Sequence, residues 1–300
     1  MKYFQCIIKA LCLLSLIKLI SASTNWSEIN EHCGISHSDR IIGGTTAALG
    51  QYPWIAHIGL LRNDNGWFYL SYECGAALIH PKFVITAAHC VADLNDDEKV
   101  ATIKLGEHNL ETKIDCEGQH CGDEPQVIYP LRIILPTEYD NASMKHDIAL
   151  IELVEAVKMT RYVDTVCLPS KEMVGDDLIG KKVEIAGWGY YDIDDPKTSP
   201  VLQVIRLPVV NLDECRNVKQ LSQFYMGPGQ LCVGGIAGKD SCNGDSGGPL
   251  VKAMPLGDYG PRYVLFGIVS VGVPSCGKFS LPAVYTNVSY YLPWIYDNIN

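Results

Sequence analysis

The chain has 300 residues, of which 47% are apolar and 19% are charged, and its formal net charge is −10. This composition is typical of a globular protein with a substantial core, and it argues against a disordered or fibrous chain. Nucleic acid and anionic membrane surfaces would repel such an acidic protein, so we expect neither as a partner.

The first 22 residues join a short basic start to an apolar run that ends in small residues. This pattern predicts a signal peptide at residues 1–22 and a secreted, extracellular protein. A membrane anchor is the alternative, but Lys9 and Lys18 leave too short an uncharged run to cross a bilayer. The N-x-Ser/Thr triplets at Asn25, Asn141 and Asn287 are candidate glycosylation sites.

Twelve cysteines occur in the chain, and Cys6 and Cys12 would leave with the signal peptide. The even number that remains in an exported protein indicates disulfides rather than free thiols. Residues 23–40 are polar, contain one cysteine and show no clear period, which predicts a short leader. This leader ends at Arg40 before Ile41, where a protease could cut, although the same residues could also begin a strand.

From residue 51 onward, short apolar or alternating runs such as FVIT, DIALIEL and KVEIAG are separated by glycine and proline. This pattern predicts an antiparallel all-β barrel or sandwich. Residues 157–182 are expected to connect two β-rich halves. Tyr291, Ile295 and Ile299 are spaced four apart and predict a C-terminal helix, although Pro293 argues against it.

Ser246 lies in the run SCNGDSGGPL. A serine hydroxyl needs a neighbouring base and donors for the oxyanion that it creates, and the glycines around Ser246 let backbone N–H groups converge. The five-residue pattern also matches the nucleophile elbow of α/β-hydrolases, in which the histidine follows the serine. All eight histidines precede Ser246, which excludes the elbow. His89 in TAAHC is then the candidate base, and Asp147 in KHDIALIEL is the carboxylate that would orient it.

These motifs occur in the order TAAHC, HDIAL and GDSGGPL, together with IIGG, CLP, GWG and VYT. In that order they resemble the chymotrypsin and trypsin family of serine proteases over residues 41–300. The resemblance implies an all-β fold of two six-stranded antiparallel β-barrels with a C-terminal helix and an active site between the barrels. It implies catalysis by His89, Asp147 and Ser246, with the N–H groups of Gly244 and Ser246 as the oxyanion hole.

The resemblance also assigns the substrate pocket. Asp240 would lie at its floor and select Arg or Lys, because a buried carboxylate needs a cationic partner. Ser241, Ser270 and Gly272 would contact the substrate, and Val271 stands where the family often has an aromatic residue. Ala283 replaces the usual glycine of the pocket wall, which leaves the balance between Arg and Lys open.

The same family resemblance implies how an inactive precursor would be activated. Cutting after Arg40 would free an ammonium group at Ile41 that pairs with Asp245 beside the oxyanion hole. Residues 23–40 would then be an activation propeptide, kept as a light chain, and residues 41–300 the protease domain.

The resemblance implies five disulfides, which pair Cys33 with Cys167, Cys74 with Cys90, Cys116 with Cys121, Cys215 with Cys232, and Cys242 with Cys276. The pair Cys116 and Cys121 is similar to an extra loop disulfide in the catalytic domains of arthropod clip-domain proteases, and a metal site with His120 is its alternative. Glu107, Asn109 and Glu124 flank this loop, and their oxygens suit a structural calcium ion, although an ordinary solvated loop is the other interpretation. Catalysis itself should require no cofactor.

The sequence therefore predicts a secreted trypsin-like serine endopeptidase, made as a zymogen, that cuts proteins after Arg or Lys in an extracellular cascade of the immune or clotting type. The alternatives are a digestive or venom protease, a chymotrypsin-like specificity, and a noncatalytic homologue that acts as a binding cofactor. Expected partners are protein substrates, an upstream trypsin-like activating protease and serpin-type inhibitors, with the chain itself a monomer.

Overall fold

A computed structural model describes residues 32–37, 46–95, 97–170, 173, 178–192, 197–237, 244–256, 260–273 and 280–299. Within these residues the secondary structure is almost entirely β. The strands are β1 (Ile55–Asp64), β2 (Trp67–His80), β3 (Phe83–Thr86), β4 (Lys99–Leu105), β5 (Cys116–Glu117), β6 (His120–Cys121), β7 (Gln126–Ile128), β8 (Pro130–Ile134), β9 (Ala149–Leu153), β10 (Lys182–Gly187), β11 (Tyr190–Asp192), β12 (Lys197–Thr198), β13 (Gln203–Val210), β14 (Gln230–Gly234), β15 (Pro249–Pro255), β16 (Pro261–Val271) and β17 (Pro282–Asn287). The α-helices are α1 (Leu212–Arg216) and α2 (Val288–Ile299).

The first half of the chain forms an antiparallel sheet in the order β7-β4-β1-β2-β3-β9-β8. Its core contains large apolar side chains such as Trp54, Leu78 and Leu150. The resemblance implied six strands here, and the structure has seven because the stretch from Gln126 to Ile134 is interrupted at Tyr129. The part before Tyr129 pairs with β4 and the part after it pairs with β9, so one stretch of chain reaches both edges of the sheet.

The second half forms a closed six-stranded barrel in the order β10-β13-β14-β17-β16-β15. Val183, Leu207, Phe266 and Tyr285 lie in its core. Between β9 and β10 the described residues contain no strand, which agrees with the connector expected there. The prediction of two antiparallel barrel-like sheets is confirmed.

Helix α2 closes the chain as predicted from its spacing, and it buries Tyr291, Ile295 and Ile299. The side chain of Asn287 accepts a hydrogen bond from the N–H of Ser289 at 3.2 Å, which satisfies one of the free N–H groups at the start of the helix. Pro293 lies inside the helix without ending it. No helix in the described part of the chain is both long and apolar enough to cross a membrane.

Four disulfides are present among the described residues. They join Cys33 to Cys167, Cys74 to Cys90, Cys116 to Cys121 and Cys215 to Cys232. Residues 32–37, which belong to the predicted leader, are held by more than the Cys33–Cys167 disulfide, since Gly34 donates to the Thr165 carbonyl at 2.7 Å and accepts from Tyr263 at 2.8 Å. The side chain of Arg262 also donates to the Cys33 carbonyl at 2.8 Å. The predicted pair Cys242 and Cys276 lies outside the described residues.

Candidate active site

Pairing of two strands brings His89 and Asp147 together. Strand β3 ends at Thr86, and the 3-10 turn that follows it, Ala88–Cys90, carries His89. Thr86 is paired with Ala149, the first residue of β9, so Asp147 enters β9 beside the histidine turn. The apolar runs FVIT and DIALIEL therefore place the two polar residues at neighbouring strand ends.

The carboxylate of Asp147 is fully buried and hydrogen-bonded through both oxygens. Its Oδ2 lies 2.8 Å from Nδ1 of His89, and its Oδ1 accepts from the backbone N–H of His89 at 2.9 Å. The hydroxyl of Ser270 donates to Oδ2 at 2.5 Å, and Thr286 donates to the Asp147 carbonyl. Because Nδ1 of His89 faces this carboxylate, Nε2 is the nitrogen left to exchange a proton with a substrate.

The electrostatics favour an ionised Asp147 beside a basic His89. Burial alone would raise the pKa of Asp147, but the charge of His89 and the hydrogen bonds from His89 and Ser270 lower it overall. Burial likewise would lower the pKa of His89, and the Asp147 carboxylate more than offsets this, so the pKa of His89 is raised. The arrangement is that of a general base held by a permanent negative charge.

Ser246 lines the same cleft as His89 and Gly244, and this cleft has a volume of about 480 Å³. No hydrogen bond joins the Ser246 hydroxyl to His89 in the part of the chain that the structure describes. Such contacts are often long until substrate binds. The carbonyl of Ser246 accepts from the N–H of Gly75 at 2.8 Å, which ties the serine loop to β2.

Gly244 and Gly247 give the serine loop its shape. Their φ angles are +99° and +74°, values that favour glycine. Asp245 lies between Gly244 and Ser246, and its Oδ1 accepts from the N–H of Gly189 at 2.9 Å. The carboxylate of Asp245 is thereby anchored to the GWG segment, and its two neighbours are the residues whose N–H groups were assigned to the oxyanion hole.

The described residues that were predicted to line a substrate pocket lie on β16, β17 and the segment after β16. Ser270 belongs to β16, and its hydroxyl is occupied by Asp147, a role that the sequence did not indicate. Ala283 is buried on β17, and a Cβ at Gly272 would meet the methyl group of Ala283 at 3.7 Å. Several predicted residues lie outside the described part of the chain, namely Asp240 and Ser241 of the pocket, Arg40 and Ile41 of the activation site, and Asn25.

His146 precedes Asp147, but its ring contacts Tyr291 and Glu138 rather than the carboxylate of Asp147. Its Nδ1 lies 3.0 Å from the hydroxyl of Tyr291, and its Nε2 lies 3.4 Å from a carboxyl oxygen of Glu138. His146 has a φ of 58° in a left-handed turn before β9, and its side chain reaches α2 through the contact with Tyr291.

In the loop that was predicted to bind calcium, two of the candidate carboxylates contact lysine side chains. Glu107 lies 3.4 Å from Lys104, and Glu124 lies 3.3 Å from Lys113. Burial raises the pKa of the Glu107 carboxyl, and Lys104 offsets this only in part. The side-chain oxygen of Asn109 accepts from the N–H of Glu111. Both carboxylates thus lie beside lysine ammonium groups, and a calcium ion at this loop stays a prediction.

Two other predictions concern the surface. Cys116 and Cys121 form a disulfide, which leaves neither thiolate free for the alternative metal site with His120. Of the two described glycosylation candidates, Asn141 is exposed in a turn. Asn287 is engaged on both sides, since its amide donates to the Pro228 carbonyl at 3.1 Å and its oxygen caps α2. Of these two, Asn141 has the more accessible amide, because its one side-chain hydrogen bond, from the hydroxyl of Tyr139 at 3.3 Å, is to the oxygen and not to the nitrogen that a glycan would modify.

Comparison with known proteins identifies the chain. The family model named Trypsin matches residues 41–295. The chain belongs to the trypsin family. Its relatives in that family include CLIP domain-containing serine protease B8 of Anopheles gambiae, which is 37% identical over 88% of this chain and 68% of the relative. Phenoloxidase-activating factor 3 of Holotrichia diomphalia is 35% identical over 96% of this chain and 79% of its own length.

A solved structure agrees with the assignment of this chain to the trypsin family. The crystal structure of the Drosophila Grass clip serine protease of the Toll pathway matches with a TM-score of 0.78 and 34% identity, and it covers 91% of this chain and 76% of that one. The predicted resemblance to arthropod clip-domain proteases is confirmed. At the level of the family, the chain is a serine endopeptidase homologue with the trypsin fold.

Proposed function

We propose that this trypsin-family chain is an active serine endopeptidase, secreted as a zymogen and activated by cleavage after Arg40, which cuts protein substrates after Arg or Lys. The observation that carries the proposal is the buried Asp147 carboxylate 2.8 Å from Nδ1 of His89, with Ser246 and Gly244 in the same cleft. A noncatalytic homologue of this family usually lacks the serine, whereas His89, Asp147 and Ser246 are all present in this chain.

The geometry supports one order of steps. Ser246 Oγ attacks the scissile carbonyl carbon as Nε2 of His89 takes its proton, and the carbonyl oxygen becomes an oxyanion held by the N–H groups of Gly244 and Ser246. The C–N bond then breaks and the proton on His89 passes to the leaving amine. Water, deprotonated by His89, attacks the acyl carbon; the bond from that carbon to Ser246 Oγ then breaks, and His89 returns the proton to Oγ. Asp147 stays ionised throughout and stabilises the imidazolium.

The relatives support a place in an extracellular cascade. Their names include phenoloxidase-activating factor 3 and, in Drosophila melanogaster, melanization protease 1, which is 34% identical over 89% of this chain. By analogy, the substrate of this protein would be another secreted protein with an exposed Arg or Lys. An upstream trypsin-like protease would cut after Arg40, and serpin-type inhibitors would trap the active form.

The test is an assay of the chain after cleavage at Arg40, with chromogenic amides that differ only in Arg, Lys or Phe before the cut bond. Hydrolysis of the Arg and Lys substrates, with little of the Phe substrate, is expected. Arg40→Gln should give a secreted but inactive chain, and Ser246→Ala should be inactive after cleavage. Hydrolysis of Phe alone would contradict the specificity, and no hydrolysis of any amide would contradict the activity.

A further inference from the structure

The turn that leads into Asp147 has an unusual backbone conformation. Three non-glycine residues in the described part of the chain have a positive φ, and two of them, Met144 at 53° and His146 at 58°, lie directly before Asp147. Left-handed conformations are uncommon outside glycine, and they persist only where the surrounding structure imposes them. The backbone that carries Asp147 therefore depends on contacts that hold this turn.

The first part of the turn is fixed by its own hydrogen bonds. The N–H of Asp140 donates to the Lys145 carbonyl at 3.0 Å, and the Asp140 carboxylate accepts from the hydroxyl of Ser143. The N–H of Tyr225 donates to the Ser143 carbonyl at 2.7 Å and ties the turn to the second half of the chain. None of these contacts includes His146, so the last residue of the turn needs another partner.

The C-terminal helix α2 supplies that partner. Nδ1 of His146 lies 3.0 Å from the hydroxyl of Tyr291, and the two rings pack edge to face at 5.8 Å. Burial and then Lys145 lower the pKa of His146, which Glu138 offsets only in part. Burial raises the pKa of Tyr291, and the Asp147 carboxylate adds to this effect. The neutral imidazole can thus accept a hydrogen bond from a tyrosine that keeps its proton.

The same segment, residues 286–291, also contacts Asp147. Thr286 is buried near the end of β17, and its hydroxyl donates to the Asp147 carbonyl. Asn287 follows and caps α2, which fixes the start of the helix that carries Tyr291. One short segment therefore holds two consecutive residues, His146 through its side chain and Asp147 through its carbonyl.

The contact between Asp147 and His89 depends on this backbone. Both carboxylate oxygens meet His89, one at Nδ1 at 2.8 Å and the other at the backbone N–H at 2.9 Å. A change in the backbone angles of His146 would move both oxygens together. A misplacement of about 1 Å can cost on the order of 10²-fold in rate, even when its cause lies away from the reacting atoms.

We propose that Tyr291 is a positioning residue for catalysis, which through His146 holds the backbone at Asp147 so that its carboxylate faces His89. The inference rests on the proposed proteolytic function. It makes helix α2 part of the support of the active site, although none of its residues lines the catalytic cleft.

A matched pair of tyrosine variants tests the hydroxyl. Tyr291→Phe removes the hydroxyl and keeps the ring, so kcat on a short Arg amide should fall about tenfold with KM little changed. The control is Tyr290→Phe, which removes a hydroxyl from the neighbouring residue, 49% exposed, and should keep kcat. Equal kcat values in the two variants would overturn the proposal.

Two substitutions of His146 test the backbone conformation. Valine is β-branched and disfavours the left-handed region, whereas asparagine adopts it more readily than most residues. We expect kcat to fall by up to roughly 10²-fold in His146→Val, and His146→Asn should recover most of that loss. The same loss in both variants would assign the effect to the imidazole and would overturn an action through the backbone.

The pKa of His89 separates positioning from a general loss of stability. Burial would lower this pKa, and the Asp147 carboxylate outweighs burial and raises it. A carboxylate farther from His89 raises the pKa less, so the acidic decline of kcat/KM should move to lower pH in Tyr291→Phe. The other titratable group that interacts with Asp147 is Tyr139, whose pKa is raised by burial and by Asp147, so it stays neutral in this range. A variant that is only less stable would keep the decline in place.

NMR titration of His89 in the Ser246→Ala chain gives the same comparison without catalysis, and a His89→Ala chain assigns the signal. Tyr291→Phe should lower the pKa of His89, and Tyr290→Phe should leave it unchanged. A His89 pKa that is equal in all these chains overturns the positioning role, whatever the activity. Failure of the cleaved wild-type chain to hydrolyse any amide overturns the proposed function and with it the catalytic role of Tyr291.

Discussion

The side chain of Asp245 is anchored by the backbone of Gly189, whose N–H donates to Oδ1 at 2.9 Å. This contact needs glycine at two positions, because a Cβ at Gly189 would lie 2.5 Å from the Asp245 carboxyl and one at Gly187 would collide with it as well. Asp245 is flanked by Gly244 and Ser246. The GWG segment therefore controls the position of the backbone that carries the proposed oxyanion donors.

Gly189→Ala should abolish most of the activity while leaving the barrels intact. The added methyl group displaces the Asp245 carboxylate, and losing one oxyanion donor typically lowers kcat by about 10² to 10³-fold. The measurement is kcat on the short Arg amide, with circular dichroism to show folding. The control is Gly122→Ala, whose Cβ would have its closest neighbours at an ordinary 3.7 Å, and which should keep full activity.

The pH dependence should follow His89. Its pKa is raised above 6.5, and only the neutral imidazole can take a proton from Ser246. Activity is thus present above the raised pKa and lost as the pH falls through it, so kcat/KM should begin to decline above pH 6.5. Asp147→Asn should cost about 10⁴-fold in kcat and move the decline to lower pH. An unchanged pH profile in that variant would contradict the assignment.

Ser270→Ala should lower the rate of catalysis and leave substrate binding unchanged, because the Ser270 hydroxyl contacts Asp147. Ser270 donates to the buried Oδ2 of Asp147, and a hydrogen bond to a charged group is worth about 1.5 to 3 kcal/mol. We expect kcat to fall roughly tenfold or more with KM little changed. A rise in KM at constant kcat would instead show that this hydroxyl serves only the substrate.

His57 should make the fold sensitive to acid. It is buried against the Trp188 ring at 5.0 Å, and its Nδ1 has no hydrogen-bond partner among the described residues. Burial, with a smaller contribution from Lys104, lowers the pKa of His57 to about 4. Its contribution to stability is complete above the unfolded value of 6.5 and is lost as the pH falls towards 4, by about 3 kcal/mol in all.

Urea unfolding of the Ser246→Ala chain, with and without His57→Phe, measures this effect between pH 7 and 4 without self-digestion. The phenylalanine variant should lose about 3 kcal/mol less over that range, whatever its stability at pH 7. Parallel pH profiles for the two proteins would show that His57 does not titrate on unfolding.

The β-rich architecture could be predicted because the apolar runs are short and separated by turn residues. The spacing of Tyr291, Ile295 and Ile299 likewise predicted the final helix, since tertiary burial outweighs the effect of Pro293. The break at Tyr129 could not be predicted, because it depends on which sheet edge each half of the stretch reaches. This break at Tyr129 is the reason why the first sheet has seven strands rather than six.

For the site, the order of His89, Asp147 and Ser246 in their motifs was the decisive signal. The role of Ser270 towards Asp147 was hidden, because nothing in the sequence shows that β16 passes the start of β9. The Asn65-Gly66 pair is a sequence signal for the tight turn between β1 and β2, but the exposure of the apolar side chains Trp67 to Leu70 after it is a property of the folded chain. The burial of His57 is equally a product of packing.

The most direct test of the central claim is covalent labelling with a fluorophosphonate, which reacts preferentially with an activated serine hydroxyl. After cleavage at Arg40, the wild-type chain should be labelled at Ser246, as located by mass spectrometry, while His89→Ala and the uncleaved Arg40→Gln chain should not. A cleaved, folded wild-type chain that takes up no label, or takes it up at another residue, would contradict the account.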